Sequence, residues 1–242
     1  MRGLFSGRDW LGMASLPHPH LSEGFIRVTE SAICEAWQRL CRKSHGTGAA
    51  LSAAFEDQIT ADLYQLLEEL RATTPSPVPG FSDAQFAPVG REGNYPDSPN
   101  DSIDKQPDLV FKTARVRAGV DPVTNGFDGL FVECKPVDAR HPIRSHYCDK
   151  GLVKFADGRY AWAMREAMMV AYVFDGSELP DALGKSLSSV NFSNRPVAGP
   201  TPCTGLSSRN CCETVHERDF SYPHTGAPAG AIHIRHVWLY FS

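Results

Sequence analysis

The stretch GLFVECKPV, residues 129 to 137, constrains the fold of this chain more than any other. A short apolar run of this length, opened by glycine and rich in aromatic and β-branched residues, reads as a buried strand. Two charges interrupt it. Side chains alternate along a strand, so Glu133 and Lys135 share one face and Cys134 takes the other. A second strand signal, PDLVFK (107–112), carries Asp108, and a polar stretch with the turn pair Asn125-Gly126 joins the two. If these strands pair, two carboxylates and one ammonium group meet at one point.

The remaining chain supplies helices to cover such a sheet. Residues 28–46 read as a helix capped by Thr29, with Ile33, Trp37, Leu40 and Cys41 in a stripe at helical spacing and a stop at Gly46. Residues 51–72 form a second amphipathic helix, with Phe55, Ile59, Leu63, Leu66, Leu67 and Leu70 on one face. Residues 73–104, rich in Pro, Gly, Ser and Asp, are irregular with room for one short strand. Residues 157–174 are apolar nearly all round, which suits a helix packed on a sheet, although its last residues could equally form a strand. Residues 175–229 read as loop, and AIHIRHVWLYF (231–241) as a terminal strand. The expectation is one α/β domain over 1–242, a central mixed sheet flanked by helices, with long loop insertions.

Composition narrows the class. With 42% hydrophobic and 21% charged residues, the chain is not broadly disordered. No apolar run approaches a membrane span, and the first twenty residues lack a signal-type apolar core, so the expected location is cytoplasmic. The net charge of −4 means that a polyanion partner needs a local basic patch. Seven cysteines at irregular spacing, with no CxxC, argue against a disulfide framework. The run from Cys203 to His216 lacks the paired short spacings of a zinc site, and free thiols are the expectation there.

Asp108, Glu133 and Lys135 together suggest a chemistry. Two neighbouring carboxylates repel, and a hard divalent cation resolves the repulsion. Mg²⁺ or Mn²⁺ bound there could also take the backbone carbonyl of Cys134. Lys135 could then help to acidify a water and neutralise charge building on a phosphate. On Pro107-Asp108 and Glu133-Cys134-Lys135, each in an apolar strand, the chain resembles the PD-(D/E)XK nuclease superfamily, over roughly residues 50–175. The resemblance implies a restriction-endonuclease-like core and metal-dependent cleavage of nucleic acid, DNA above all. It also implies Asp108 and Glu133 as metal ligands, Lys135 as catalytic lysine, and Glu56 as the helix glutamate of many members, ahead of Asp57, Glu68 and Glu69. Asp128 competes with Asp108 for its role. Where recombination-type members carry Gln and Tyr, this chain has Glu166 and Tyr172. Its motif region is also similar to bacterial proteins of restriction and phage-defence type, which implies further defence subunits as partners. A paired cut in duplex DNA would need a C2 dimer. The rival expectation is the same fold without chemistry, serving as a binding subunit.

Around the motif, Arg140, Arg144, Lys150, Lys154, Arg159 and Arg165 are interleaved with His141, His146, Tyr147, Tyr160 and Trp162. Lys154, Arg159 and Arg165 are the candidate phosphate contacts, because they flank the expected start of the 157–174 helix. His216, His233 and His236, with Arg218 and Arg235, form a weaker cluster for a general base or phosphate clamp.

Overall fold

A computed structural model of the chain describes residues 16–47, 56–93, 107–122, 124–189, 196–203, 210–222 and 225–241. The expected residues 51–55 of the second helix, with Phe55, and residues 94–104 lie outside these. The architecture is α/β: a seven-stranded mixed sheet flanked by helices.

Helix α1 spans Glu23–Thr47 and α2 spans Glu56–Ala72. The first begins upstream of the expected cap. The Ser22 hydroxyl accepts the Phe25 N–H at 3.2 Å, and Thr29, inside the helix, donates back to the Phe25 carbonyl at 3.0 Å. Ile33, Trp37, Leu40 and Cys41 are buried as the stripe predicts, as are Ile59, Leu63, Leu67 and Leu70 of α2.

Strands β1 (Gly90–Arg91), β2 (Leu109–Phe111) and β3 (Leu130–Val137) form an antiparallel meander. A wide-turn helix of π type (Ile143–Leu152) and the short α3 (Val153–Ala156) carry the chain back to β4 (Glu166–Val173), parallel to β3. After α4 (Asp181–Leu187), β5 (Ala198–Pro202) and β6 (Cys211–His216), the chain closes with β7 (Ile232–Tyr240), parallel to β4. The strand order is β1-β2-β3-β4-β7-β6-β5.

Two expectations are corrected. Residues 157–168 do not form a helix; turns lead into β4, every residue of which is buried, and of the two alternatives for the last residues the strand is the one formed. A strand between two parallel neighbours has both faces covered, so it shows the same unbroken apolarity as a buried helix. Residues 175–229 are not all loop, since they contain α4, β5 and β6. The edge strand β5, AGPTP, carries two prolines and kinks at Gly199, whose φ is +90°. A Cβ at Gly199 would stand 2.3 Å from the Glu213 carbonyl oxygen, so the bulge there needs glycine.

The register assigns the two faces. Tyr172 stacks on Trp37 of α1 at 5.3 Å and hydrogen-bonds Thr60 of α2 at 3.0 Å. Its neighbours in the next register row, Ala171 and Trp238, pair side by side, and Trp238 meets Tyr147 of the π-type helix at 6.0 Å on the opposite face. Glu133 and Lys135 pair with Met169 and Ala171, which places them on that second face. At Gly151 the backbone passes so close that a Cβ would lie 2.6 Å from Met169 Cε and 3.5 Å from Lys135 Cγ.

Candidate functional site

Strands β2 and β3 pair antiparallel with Leu109 opposite Val132. Continuing that register by one residue sets Asp108, in the bend before β2, opposite Glu133. The Cys134 N–H donates to Asp108 Oδ2 at 2.6 Å and fixes that carboxylate. Lys135 Nζ lies 3.0 Å from Glu133 Oε1 and 3.9 Å from Asp108 Oδ2. It also donates to the Cys134 carbonyl at 3.0 Å and pairs with Glu56, from the first turn of α2. Asp108, Glu133, Lys135, Glu56 and the Cys134 carbonyl are thus gathered at one place.

Lys154 joins them. Its Nζ donates to Glu133 Oε1 at 2.6 Å and to the Tyr160 hydroxyl at 3.2 Å, and sits 4.9 Å from the Tyr160 ring centre. Glu133 is 1% exposed; Oε1 faces two ammonium groups while Oε2 has no hydrogen-bond partner.

Three carboxylates against two ammonium groups leave one negative charge in excess. Burial first, and then the Glu133 charge, push the Asp108 pKa up to about 7, against the opposing pull of Lys135 and the Cys134 N–H; Glu56 adds to the rise. For Lys135, burial works to lower the pKa, but Glu133, Asp108 and Glu56 outweigh it and the result is a rise. Lys154 is raised in the same way, burial being outweighed by Glu133 and Tyr160. Both lysines are therefore cations at any physiological pH. Burial, then the Glu133 charge, raises the Tyr160 phenol.

The donor set suits a hard divalent cation: carboxylate oxygens, one carbonyl, and a buried oxygen of Glu133 left without a partner. The carboxylates nevertheless close on the Lys135 ammonium. Among the described residues no group of three or more His, Cys, Asp or Glu stands where it could hold a metal ion.

The other candidates are placed elsewhere. Asp128 is bound by Arg117 (Nε to Oδ2 2.9 Å, Nη2 to Oδ1 2.5 Å), with His18 Nδ1 at 3.6 Å. Burial opposes its ionisation, yet the nearby His18 ring and the hydrogen bonds and charge of Arg117 hold its pKa down to about 2. Glu166 accepts the Leu21 N–H at 3.1 Å and pairs with His20. Arg159 pairs with Asp157 at 2.7 Å and helps line a narrow pocket with Pro107, Phe127, Phe131 and Trp162. Arg165 Nε donates to the His18 carbonyl at 3.3 Å. No helix N-terminus stands between Arg159 and Arg165, so the reason for grouping them with Lys154 is gone.

The histidines are structural in their contacts. His236 is buried between Tyr147 (2.9 Å) and Thr214 (2.8 Å), Thr214 also meets His216 at 2.9 Å, and burial with His216 beside it pushes the His236 pKa down to about 3. His233 pairs with Glu213 at 3.1 Å. Arg218 clamps the carbonyls of Trp162, Ala229 and Gly230, and Arg235 binds Glu30 at 3.0 Å and Glu23 at 3.1 Å.

Sequence reasoning missed the pairing of Lys154 with Glu133. The signal was available only in the topology: a parallel crossover returns the next twenty or so residues over the face they have left. It also missed the N-terminal segment, where Pro19 and His20 carbonyls are each held by Arg117 at 2.8 Å. Among the described residues no helix is long and apolar enough to cross a membrane. Compared with protein-family models, curated proteins and solved structures, the chain matches none.

Proposed function

We propose that this chain is a nuclease with a restriction-endonuclease-like core, using Mg²⁺ or Mn²⁺ to hydrolyse phosphodiester bonds in DNA. The observation that carries the reading is Glu133, a carboxylate 1% exposed with an unpartnered oxygen, set beside the buried carboxylate of Asp108. A buried polar atom left unpaired costs about 1–3 kcal/mol, and more when charged. That cost favours a functional reason for the arrangement over a purely structural one, since buried ion pairs add little net stability.

Asp108 and Glu133 would hold the cation, with Glu56 and the Cys134 carbonyl as further oxygen donors. When bound, the cation supplies an acidified water and a positive charge for the phosphate. The chain's own groups do the positioning. The Cys134 N–H fixes Asp108. Lys154, steadied by the Tyr160 hydroxyl, occupies Glu133 Oε1 and leaves Oε2 for a ligand. Lys135 stays protonated, so it cannot act as a general base. Its ammonium is suited to stabilising negative charge that builds on the phosphate in the transition state.

A second reading is a binding subunit that keeps the core and performs no chemistry. It draws on the internal matching of charges, Lys135 with Glu56 and Lys154 with Glu133. A cleavage assay on single- and double-stranded DNA and RNA, with Mg²⁺, Mn²⁺ or EDTA, separates the two. The nuclease reading expects divalent-dependent cleavage of DNA that Lys135→Ala and Asp108→Ala each abolish while circular dichroism stays unchanged. Equal activity of wild type and Lys135→Ala would end it. No cleavage by wild type on any substrate would favour the binding subunit.

A further inference from the structure

Cys203 and Cys211 lie outside the carboxylate site and on the other half of the sheet. Cys203 follows the last residue of β5, and its N–H donates to the Cys211 carbonyl at 3.0 Å, so the two stand opposite each other on neighbouring antiparallel strands. Their sulfur atoms are 2.7 Å apart. That is closer than unbonded sulfurs normally pack, yet well beyond the roughly 2.05 Å of a covalent pair. None of the cysteines, all of which fall among the described residues, is in a disulfide.

We propose that Cys203 and Cys211 form a thiol–disulfide exchange site that reacts with low-molecular-weight disulfides. Cys203 is partly exposed and Cys211 buried, so an incoming disulfide can reach only the first. The Cys211 S–H points at Cys203 Sγ. That hydrogen bond, with the Arg235 charge nearby, favours the Cys203 thiolate against the opposing effect of burial, whereas Cys211 is held as thiol by the bond it donates and by burial. Attacking and resolving roles are thereby separated within one pair. Glu30 of α1, itself held by Arg235 at 3.0 Å, places Oε2 3.8 Å from Cys211 Sγ, where it can take up the proton that Cys211 must lose.

The chemistry balances without a further oxidant. The Cys203 thiolate attacks one sulfur of the disulfide, forms a mixed disulfide and expels one thiolate. Cys211 then attacks the Cys203 sulfur as its proton passes to Glu30, and expels the second thiolate, which takes that proton; the first thiolate takes the proton that Cys203 released on ionising. Two protein thiols and one small disulfide become one protein disulfide and two small thiols. The other buried cysteines are less able to compete: burial raises the Cys148 thiol to about 12 and holds Cys134 well above its ordinary range.

Glutathione disulfide on the folded full chain is the probe, read by non-reducing peptide mapping and by counting alkylated thiols. Wild type should lose two alkylatable thiols, yield a crosslinked peptide joining Cys203 to Cys211, retain no glutathione, and recover both thiols with dithiothreitol. Cys211→Ser should retain one glutathione on Cys203, because the resolving thiol is missing. The wild-type peptide map decides the matter even if that variant folds poorly. The proposal is overturned if wild type keeps both thiols alkylatable, retains glutathione as a stable adduct, or crosslinks other cysteines instead. The nuclease reading stands or falls independently, since neither sulfur touches the carboxylate site.

Discussion

The decisive residue is Asp108, whose pKa is pushed up to about 7 by burial and by the Glu133 charge. Its ordinary value is near 3.8, so between those two pH values the folded chain binds a proton that the unfolded chain releases. Stability therefore falls as pH rises from about 4 to about 7, by on the order of 4 kcal/mol in total. Asp108→Asn keeps the acceptor for the Cys134 N–H and removes the unfavourable charge. In EDTA at pH 7.5 or so, the variant should melt at higher temperature than wild type, with a flatter dependence on pH through that window. Added Mg²⁺ or Mn²⁺ should raise the melting temperature of wild type and leave the variant unmoved, alongside the loss of cleavage. A variant that melts lower than wild type in EDTA would show that the Asp108 charge is not a burden on the fold. Higher melting of the variant would instead be the pattern of a group kept for chemistry at the expense of stability.

At the scale of elements, what the sequence discloses depends on how local the cause is. The strand alternation is local, so the shared face of Glu133 and Lys135, and the opposite face of Cys134, could be read directly. The pairing of β3 with β2 was only a condition in the sequence, because residues 112–129 separate the two strands and alternation names no partner; the antiparallel register comes from the fold. The nature of residues 166–173 was not legible either: after Glu166 the run AMMVAYV is apolar throughout, and only its place between β3 and β7 makes it a strand. Lys154 escaped for the same reason, since its approach to Glu133 depends on the π-type helix and α3 folding back over β3. Gly151 permits that approach. An alanine there displaces only the flexible end of Met169, whereas Gly151→Val wedges a branched side chain between the helix and β4. Overpacking of this kind costs about 1–3 kcal/mol. Gly151→Val should lower the unfolding free energy measured in urea by that amount and lower cleavage further than the stability loss explains, because Lys154 is lifted off Glu133. Unchanged cleavage in a destabilised Gly151→Val would detach Lys154 from the function of the site.

Across the whole molecule, the mixed sheet separates three tasks. The β2–β3–α2 corner gathers the carboxylates, the β5–β6 edge carries the sulfur pair, and the N-terminal segment straps one end of the sheet. That strap hangs on Arg117, whose guanidinium holds the Pro19 and His20 carbonyls and grips Asp128, 4% exposed. His18 adds bonds to Thr124 at 3.1 Å and, through its N–H, to the Ala163 carbonyl at 2.8 Å. Because Asp128 is held at about 2 against an ordinary 3.8, its contribution is present above about pH 4 and disappears as pH falls toward 2. The shift corresponds to about 2 kcal/mol. Arg117→Met keeps the length of the side chain but strands the Asp128 carboxylate and frees two carbonyls. It should cost about 3 kcal/mol at pH 7, as removal of one partner from a buried pair does. The deficit should shrink as the pH falls toward 2, because wild type loses the same ion pair there, so urea midpoints of the two proteins should converge in acid. Limited proteolysis at pH 7 should cut the variant within residues 16–22 before the sheet opens. Parallel midpoints at every pH would place the stabilising grip of Arg117 on the two carbonyls rather than on Asp128. Either way, the strap ties Glu166 at the head of β4 to Leu21, just before α1, so a weakened strap should loosen the central strand beside β3.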